Sequence, residues 1–149
     1  METYALLLAA TLNAGTVLAL ASLGLLINEK AGIVNLGAEG MMLCAAVAGF
    51  ATVSVTGSDL LGFMAGMTIG ALMAAIFGFF VIWLNTNQYA TGLALSLFGA
   101  GFSAFVGVPY VQAKLPERMV YEVPGLADLP FIGPALFRQH PMVFLAVGL

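Results

Sequence analysis

The sequence predicts an all-α fold: a polytopic transmembrane helix bundle with four full spans and a truncated fifth. Three observations carry that expectation. Of the 149 residues, 62% are hydrophobic and only 7% are charged, against about 25% charged in a water-facing domain. The mean hydropathy is +1.07. The apolar residues also gather into runs of about 18 to 25, long enough to cross a hydrocarbon core, with polar or proline-rich segments between them.

The first run, Tyr4–Ile27, is free of charge and predicts a span over 4–27. Its flank holds Glu2 and no Lys or Arg, and it is longer than the roughly 7–15 residues of a signal-peptide core, so it does not fit a cleaved leader. Gly40–Gly57 predicts a second span over 40–57 and Leu60–Leu84 a third over 60–84. Tyr89–Val108 predicts a fourth over 89–108, stopped by Pro109. The next segment differs in kind. Residues 110–140 hold Lys114, Arg118, Arg138, Glu117, Glu122 and Asp128, with Pro116, Pro124, Pro130 and Pro134. Prolines at that density would strand backbone groups in lipid, which predicts an extramembrane loop. From Pro141 the chain is apolar to Leu149. The eight residues Met142–Leu149 rise only about 12 Å as a helix, so 141–149 is expected to be a partial fifth span. The expectation is therefore one transmembrane domain over 1–149, incomplete at its end.

Composition excludes several classes. Four Lys or Arg residues give no electrostatic footprint for nucleic acid. Cys44 is the single cysteine, so neither an internal disulfide nor a cysteine metal cluster can form. His140 is the only histidine and stands beside Pro141. No nucleophile–base set emerges and no enzyme is predicted. No G-x-x-x-x-G-K-[ST] loop occurs, so a nucleotide site is not expected in this chain.

The most informative segment separates the first two runs. Asn28–Met42 reads N-E-K-A-G-I-V-N-L-G-A-E-G-M-M, a polar, glycine-rich break in a chain otherwise built for lipid. With Gly32-Ile33-Val34-Asn35-Leu36-Gly37 followed by Glu39-Gly40-Met41-Met42-Leu43, it resembles the first signature of permease subunits of bacterial ABC importers. That family takes up branched-chain amino acids, simple sugars and nucleosides, and the Asn-Leu-Gly-x-Glu-Gly-Met form is nearest its sugar and nucleoside branch. Thr86–Leu95 is similar to a second signature, as are Val123-Pro124-Gly125-Leu126 and Pro130–Pro134 to a further block. The resemblance runs through essentially all of the chain, yet family members are roughly twice as long and carry a later cytoplasmic segment that engages the ATPase.

The resemblance implies a permease subunit that forms the translocation path for a simple sugar or nucleoside in the bacterial inner membrane. It implies a second permease subunit, a cytoplasmic ABC ATPase that uses the ATP, and an extracytoplasmic binding protein as partners. The alternative is a truncated, inactive permease with only a structural or assembly role in the membrane. The two readings also disagree on orientation. Lys114, Arg118 and Arg138 outnumber Lys30, which by the positive-inside rule favours a cytoplasmic long loop. The resemblance places that loop outside, and this is the orientation expected here.

Polar residues within the runs are the candidates for the path. Asn13 needs a partner in the first span, either another helix or the path itself. Glu39 either starts the second helix, where a carboxylate complements exposed N–H groups, or lines the path together with Asn35 in a broken-helix loop over Gly32–Gly40. In the first case Gly37 and Gly40 would allow a tight break. Asn87, Gln88 and Thr91 belong to a neutral turn that is either a connector or part of the path, where hydrogen-bonding groups would suit a hydroxylated substrate. Gly62, Gly66, Gly70, Ala74 and Gly78 recur every fourth residue and predict one close-packing helix face. Gly99, Ser103 and Gly107 repeat the device in the fourth run.

Overall fold

The computed structural model describes residues 2–112, 121–122 and 138–139. The expected partial span 141–149 and most of the loop 110–140 lie outside the described residues. The chain divides into two compact units, Leu25–Glu117 and Met1–Gly24 with Arg118–Leu149.

The second of these contains most of helix α1 (Glu2–Lys30) and a two-residue antiparallel pair, β1 (Tyr121–Glu122) with β2 (Arg138–Gln139). That short pairing closes a connection in the expected extramembrane segment and leaves the class all-α. The hydroxyls of Thr11, Thr16 and Ser22 each donate to the carbonyl four residues back. Such back-bonding satisfies a hydroxyl inside an apolar helix without a partner from outside.

The unit Leu25–Glu117 holds three more helices: α2 (Ala38–Thr56), α3 (Asp59–Gly78) and α4 (Gln88–Gly107). Wide-turn π geometry over Phe79–Trp83 extends α3, and a 3₁₀ turn over Val108–Tyr110 extends α4. With these extensions the span-length segments are Ala38–Thr56, Asp59–Trp83 and Gln88–Tyr110, beside Ala10–Lys30 of α1. Each lies within a few residues of the run that predicted it, apart from the start of the first.

The ends follow local rules. α1 closes with Gly32 at φ +81°. Ile33 N–H donates to Asn28 O at 2.9 Å, and Gly32 N–H donates to Glu29 O at 2.9 Å, the paired bonds of a glycine-terminated helix end. α2 ends on Gly57 at φ +68°, whose N–H returns to Val53 O. Ser58 then caps α3 by accepting from Leu61 N–H.

α2 is the centre of this unit, with α3 on one flank and α4 on another. Met41, Cys44, Met73, Phe77 and Leu95 form the buried core. Large apolar side chains such as Leu97, Trp83 and Phe105 are exposed on the outside. A small tight seam under an apolar exterior is the arrangement expected in lipid, where helices associate by close contact instead of by leaving water.

The four-residue column on α3 meets α2 over part of its length. Gly62 and Gly66 face α2 at Gly49, Val53 and Ala45, and a β-carbon at Gly70 would stand 3.8 Å from Ala45 Cβ. Ala74 is exposed, and Gly78 meets only Ile82 of its own segment. Four residues turn a helix about 40° beyond a full revolution, so a column of five positions rotates away from any one neighbour. Met73 and Phe77 take over the buried face where Ala74 and Gly78 leave it.

Candidate functional site

The break between α1 and α2 is seven residues, Ala31–Gly37, with Ala38 and Glu39 already helical. Its middle belongs to no helix or strand and finds partners for its backbone groups on α4. Gln88 Oε1 accepts from Val34 N–H at 3.0 Å. Ser96 Oγ donates to Leu36 O at 2.7 Å. Among the described residues Ser96 differs from the span hydroxyls that bond back to their own helix, because it reaches a segment sixty residues away. Two side chains of one helix thus satisfy one donor and one acceptor of the break, which answers where its exposed backbone finds partners.

Glycines make that seat possible. A β-carbon at Gly92 would stand 3.0 Å from the backbone nitrogens of Leu36 and Gly37, and one at Gly37 would meet Leu95 Cβ at 3.2 Å. Gly40 and Gly99 touch backbone to backbone where α2 crosses α4. The expected role of Gly37 and Gly40 in turning the chain is therefore corrected. Gly37 has φ −84°, open to any residue, and the torsional requirement falls on Gly32. Gly37 and Gly40 serve close approach.

Asn35 works within the break. Its Oδ1 accepts from Gly37 N–H at 2.9 Å, and its amide nitrogen points to Met41 Sδ at 3.7 Å. Glu39 is exposed in the first turn of α2, where its charge complements the free N–H groups of the helix start. The side chain of Asn13 lies outside the described residues.

Asn87 caps α4, its Oδ1 accepting from Tyr89 N–H at 2.9 Å and Ala90 N–H at 3.2 Å. Before it, Asn85 takes φ +49°, a left-handed conformation that Asn tolerates better than most residues. Phe80 O, at the π turn, accepts from both the N–H and the hydroxyl of Thr86. Thr91 Oγ1 is 2.9 Å from Thr86 Oγ1. Since Thr86 spends its one hydroxyl proton on a carbonyl, Thr91 is the donor between them.

These groups surround an open cleft of about 540 Å³ lined by Gly32, Ile33, Val81, Ile82, Asn85, Thr86, Asn87, Gln88 and Tyr89. The structure brings Asn87 and Gln88 into this lining, with Thr91 bonded just behind Thr86. Asn35 and Glu39 are not part of it. Ser96 was not singled out by sequence, and Thr86 and Gly92 entered only as members of the segment Thr86–Leu95. Ser96 sits among apolar neighbours in a predicted span and nothing nearby in sequence names its partner, sixty residues away. Among the described residues the lining carries no carboxylate, ammonium or guanidinium, and those residues offer hydrogen bonds and apolar contact but no counter-ion.

Comparison with known proteins places this architecture. Residues 7–125 match the family model described as the permease component of branched-chain amino acid transport systems. The chain is 43% identical over 151 aligned positions to a provisionally named glucose ABC transporter permease, TsgC13, of Haloferax volcanii, covering 99% of this chain and 46% of that protein. It is 30% identical to the guanosine ABC transporter permease NupQ of Bacillus subtilis, covering 93% of this chain and 47% of the relative. It is also 30% identical to the nucleoside ABC transporter permease NupC of Lactococcus lactis, covering 99% and 50%. The chain spans about half the length of the curated relatives it matches. No solved structure matches it. The chain belongs to the permease-component family of branched-chain amino acid transport systems, as a multi-pass protein of the inner membrane.

Proposed function

We propose that this chain contributes the translocation path of an ABC importer for a simple sugar or nucleoside. The observation that carries the reading is the charge-free polar cleft beside the break, in a family whose members include the named glucose, guanosine and nucleoside permeases. A zwitterionic amino acid would find no charged partner in that lining, whereas hydroxyls and base carbonyls can pair with amides and a threonine hydroxyl. The partners in this reading are a second permease subunit, a cytoplasmic ATPase that supplies the ATP chemistry, and an extracytoplasmic binding protein that delivers substrate. Asn87, Gln88 and Thr91 belong to the path or its immediate support, and Asn35 and Glu39 shape the break beside it. Asn13 remains a candidate of the path in the first span.

The test is ATP-driven uptake of labelled glucose, uridine and leucine by the permease together with the ATPase that copurifies with it. Uptake of glucose or uridine in preference to leucine supports the reading. Leucine uptake alone, or a permease that retains no ATPase, overturns it.

A further inference from the structure

Two of the cleft's three amide side chains, Asn87 and Gln88, are fixed in direction by their internal bonds, and the third is that of Asn85. Asn87 Oδ1 faces the N–H groups of Tyr89 and Ala90, and Gln88 Oε1 faces the N–H of Val34. A backbone N–H can only donate, so in both residues the bonded atom is the oxygen and the NH₂ is the end left over. Each oxygen is used for structure: one caps α4, the other holds the break. Both residues line the cleft. What they can offer an occupant is therefore donors, up to two N–H each, and no free carbonyl from these side chains is required to explain them. Ile33, Val81 and Ile82 add apolar lining. The volume, about 540 Å³, falls within the range of about 300–1,000 Å³ typical of small-molecule sites.

We propose that this cleft is a donor-lined station for a neutral, acceptor-rich solute, with the NH₂ groups of Asn87 and Gln88 as its recognition groups. The proposal rests on the transport reading above and sharpens it, because it says which atoms select the substrate. Hydroxyl lone pairs, ring oxygens and base carbonyls are acceptors and satisfy these donors. An ammonium group cannot, and it meets no anion in the lining.

The conservative variants Asn87→Asp and Gln88→Glu separate recognition from structure. A carboxylate still accepts from the same backbone N–H groups, so the cap and the pin persist, while the NH₂ donors are lost and a negative charge faces the solute's oxygens. Ile82→Cys supplies a reporter thiol in the exposed lining, and native Cys44 is buried at 1% exposure and stays unlabelled. In membranes containing the Ile82→Cys protein, glucose or uridine should protect the thiol from a maleimide, and leucine should not. Adding Asn87→Asp or Gln88→Glu should raise the half-protecting concentration about tenfold, with membrane level and melting temperature unchanged. Unchanged half-protection in both variants, or protection by leucine equal to that by glucose and uridine, would overturn the proposal. Protection is read without transport. Loss of uptake with protection intact thus counts against the transport reading, and retained uptake with indifferent protection counts against the station.

Discussion

Replacing Gly99 by Ala adds one methyl where α4 crosses α2, and the structure sets its cost. The new β-carbon would lie 2.6 Å from the carbonyl carbon of Gly40, with Gly40 Cα and O closer still. Carbon atoms rest at about 3.5–4.0 Å, so the helices would have to part by about 1 Å. Every obstructing atom is backbone and none can rotate aside, which puts the strain toward the upper end of the usual overpacking cost of about 1–3 kcal/mol. Alanine in a helix interior returns about 0.5–1 kcal/mol relative to glycine. The net loss is about 2 kcal/mol, or about 4–8 °C in Tm for a chain of this size. Gly101, two residues along the same helix, has nothing within 4 Å of its would-be methyl. Gly101→Ala should therefore hold or raise the melting temperature by a degree or two. Thermal unfolding in one detergent, followed by monodisperse fraction after heating, compares the two directly. Equal melting temperatures would refute the crossing as drawn.

Other substitutions test separate joints of the same account. Asn87→Ala should destabilise by about 1 kcal/mol through loss of the α4 cap, and Asn87→Asp should not, as read by melting temperature. Ser96→Ala leaves Leu36 O without its partner and should cost about 1 kcal/mol. A Ser96→Thr variant that kept the hydroxyl in place would recover most of it. Gly66→Leu should impair assembly because Ala45 O stands 3.2 Å from the added β-carbon, whereas Ala74→Leu should be accepted, with extracted folded protein as the measure. Glu39→Gln should lose only a helix-end interaction of about 0.3–1 kcal/mol and leave uptake intact, because Glu39 is exposed and outside the cleft. A collapse of uptake at unchanged membrane level would return Glu39 to the path.

The helices were legible because run length and proline placement act locally and leave few alternatives. Gly32 after Lys30 and Gly57 after Thr56 mark helix ends that the backbone then adopts. The polar break was legible as an anomaly against lipid. Its seat was not, since Gln88–Val34 and Ser96–Leu36 join residues more than fifty positions apart and no local pattern encodes such pairs. The glycine column was legible as a spacing but not in its reach: a strict four-residue spacing outruns the helical repeat, and among the described residues Gly62, Gly66 and Gly70 are the members that meet α2. Asn35 and Glu39 were legible as path candidates because they are polar at a break. In the fold the first braces its own turn and the second starts a helix.

The central claim is that the polar break is seated on α4, and a disulfide measures that seat. The β-carbon of Leu36 and one placed at Gly92 would be 3.1 Å apart, a few tenths of an ångström short of the range of about 3.5–4.5 Å bridged by a disulfide, so a slight parting of the two segments brings the pair into range. In native membranes, Leu36→Cys with Gly92→Cys should cross-link rapidly under mild oxidation. Leu36→Cys with Gly101→Cys should not, since position 101 faces open space. Cross-linking of the first pair alone is the predicted result. Failure of that pair in a folded, membrane-inserted protein, or equal cross-linking of both, would contradict the account.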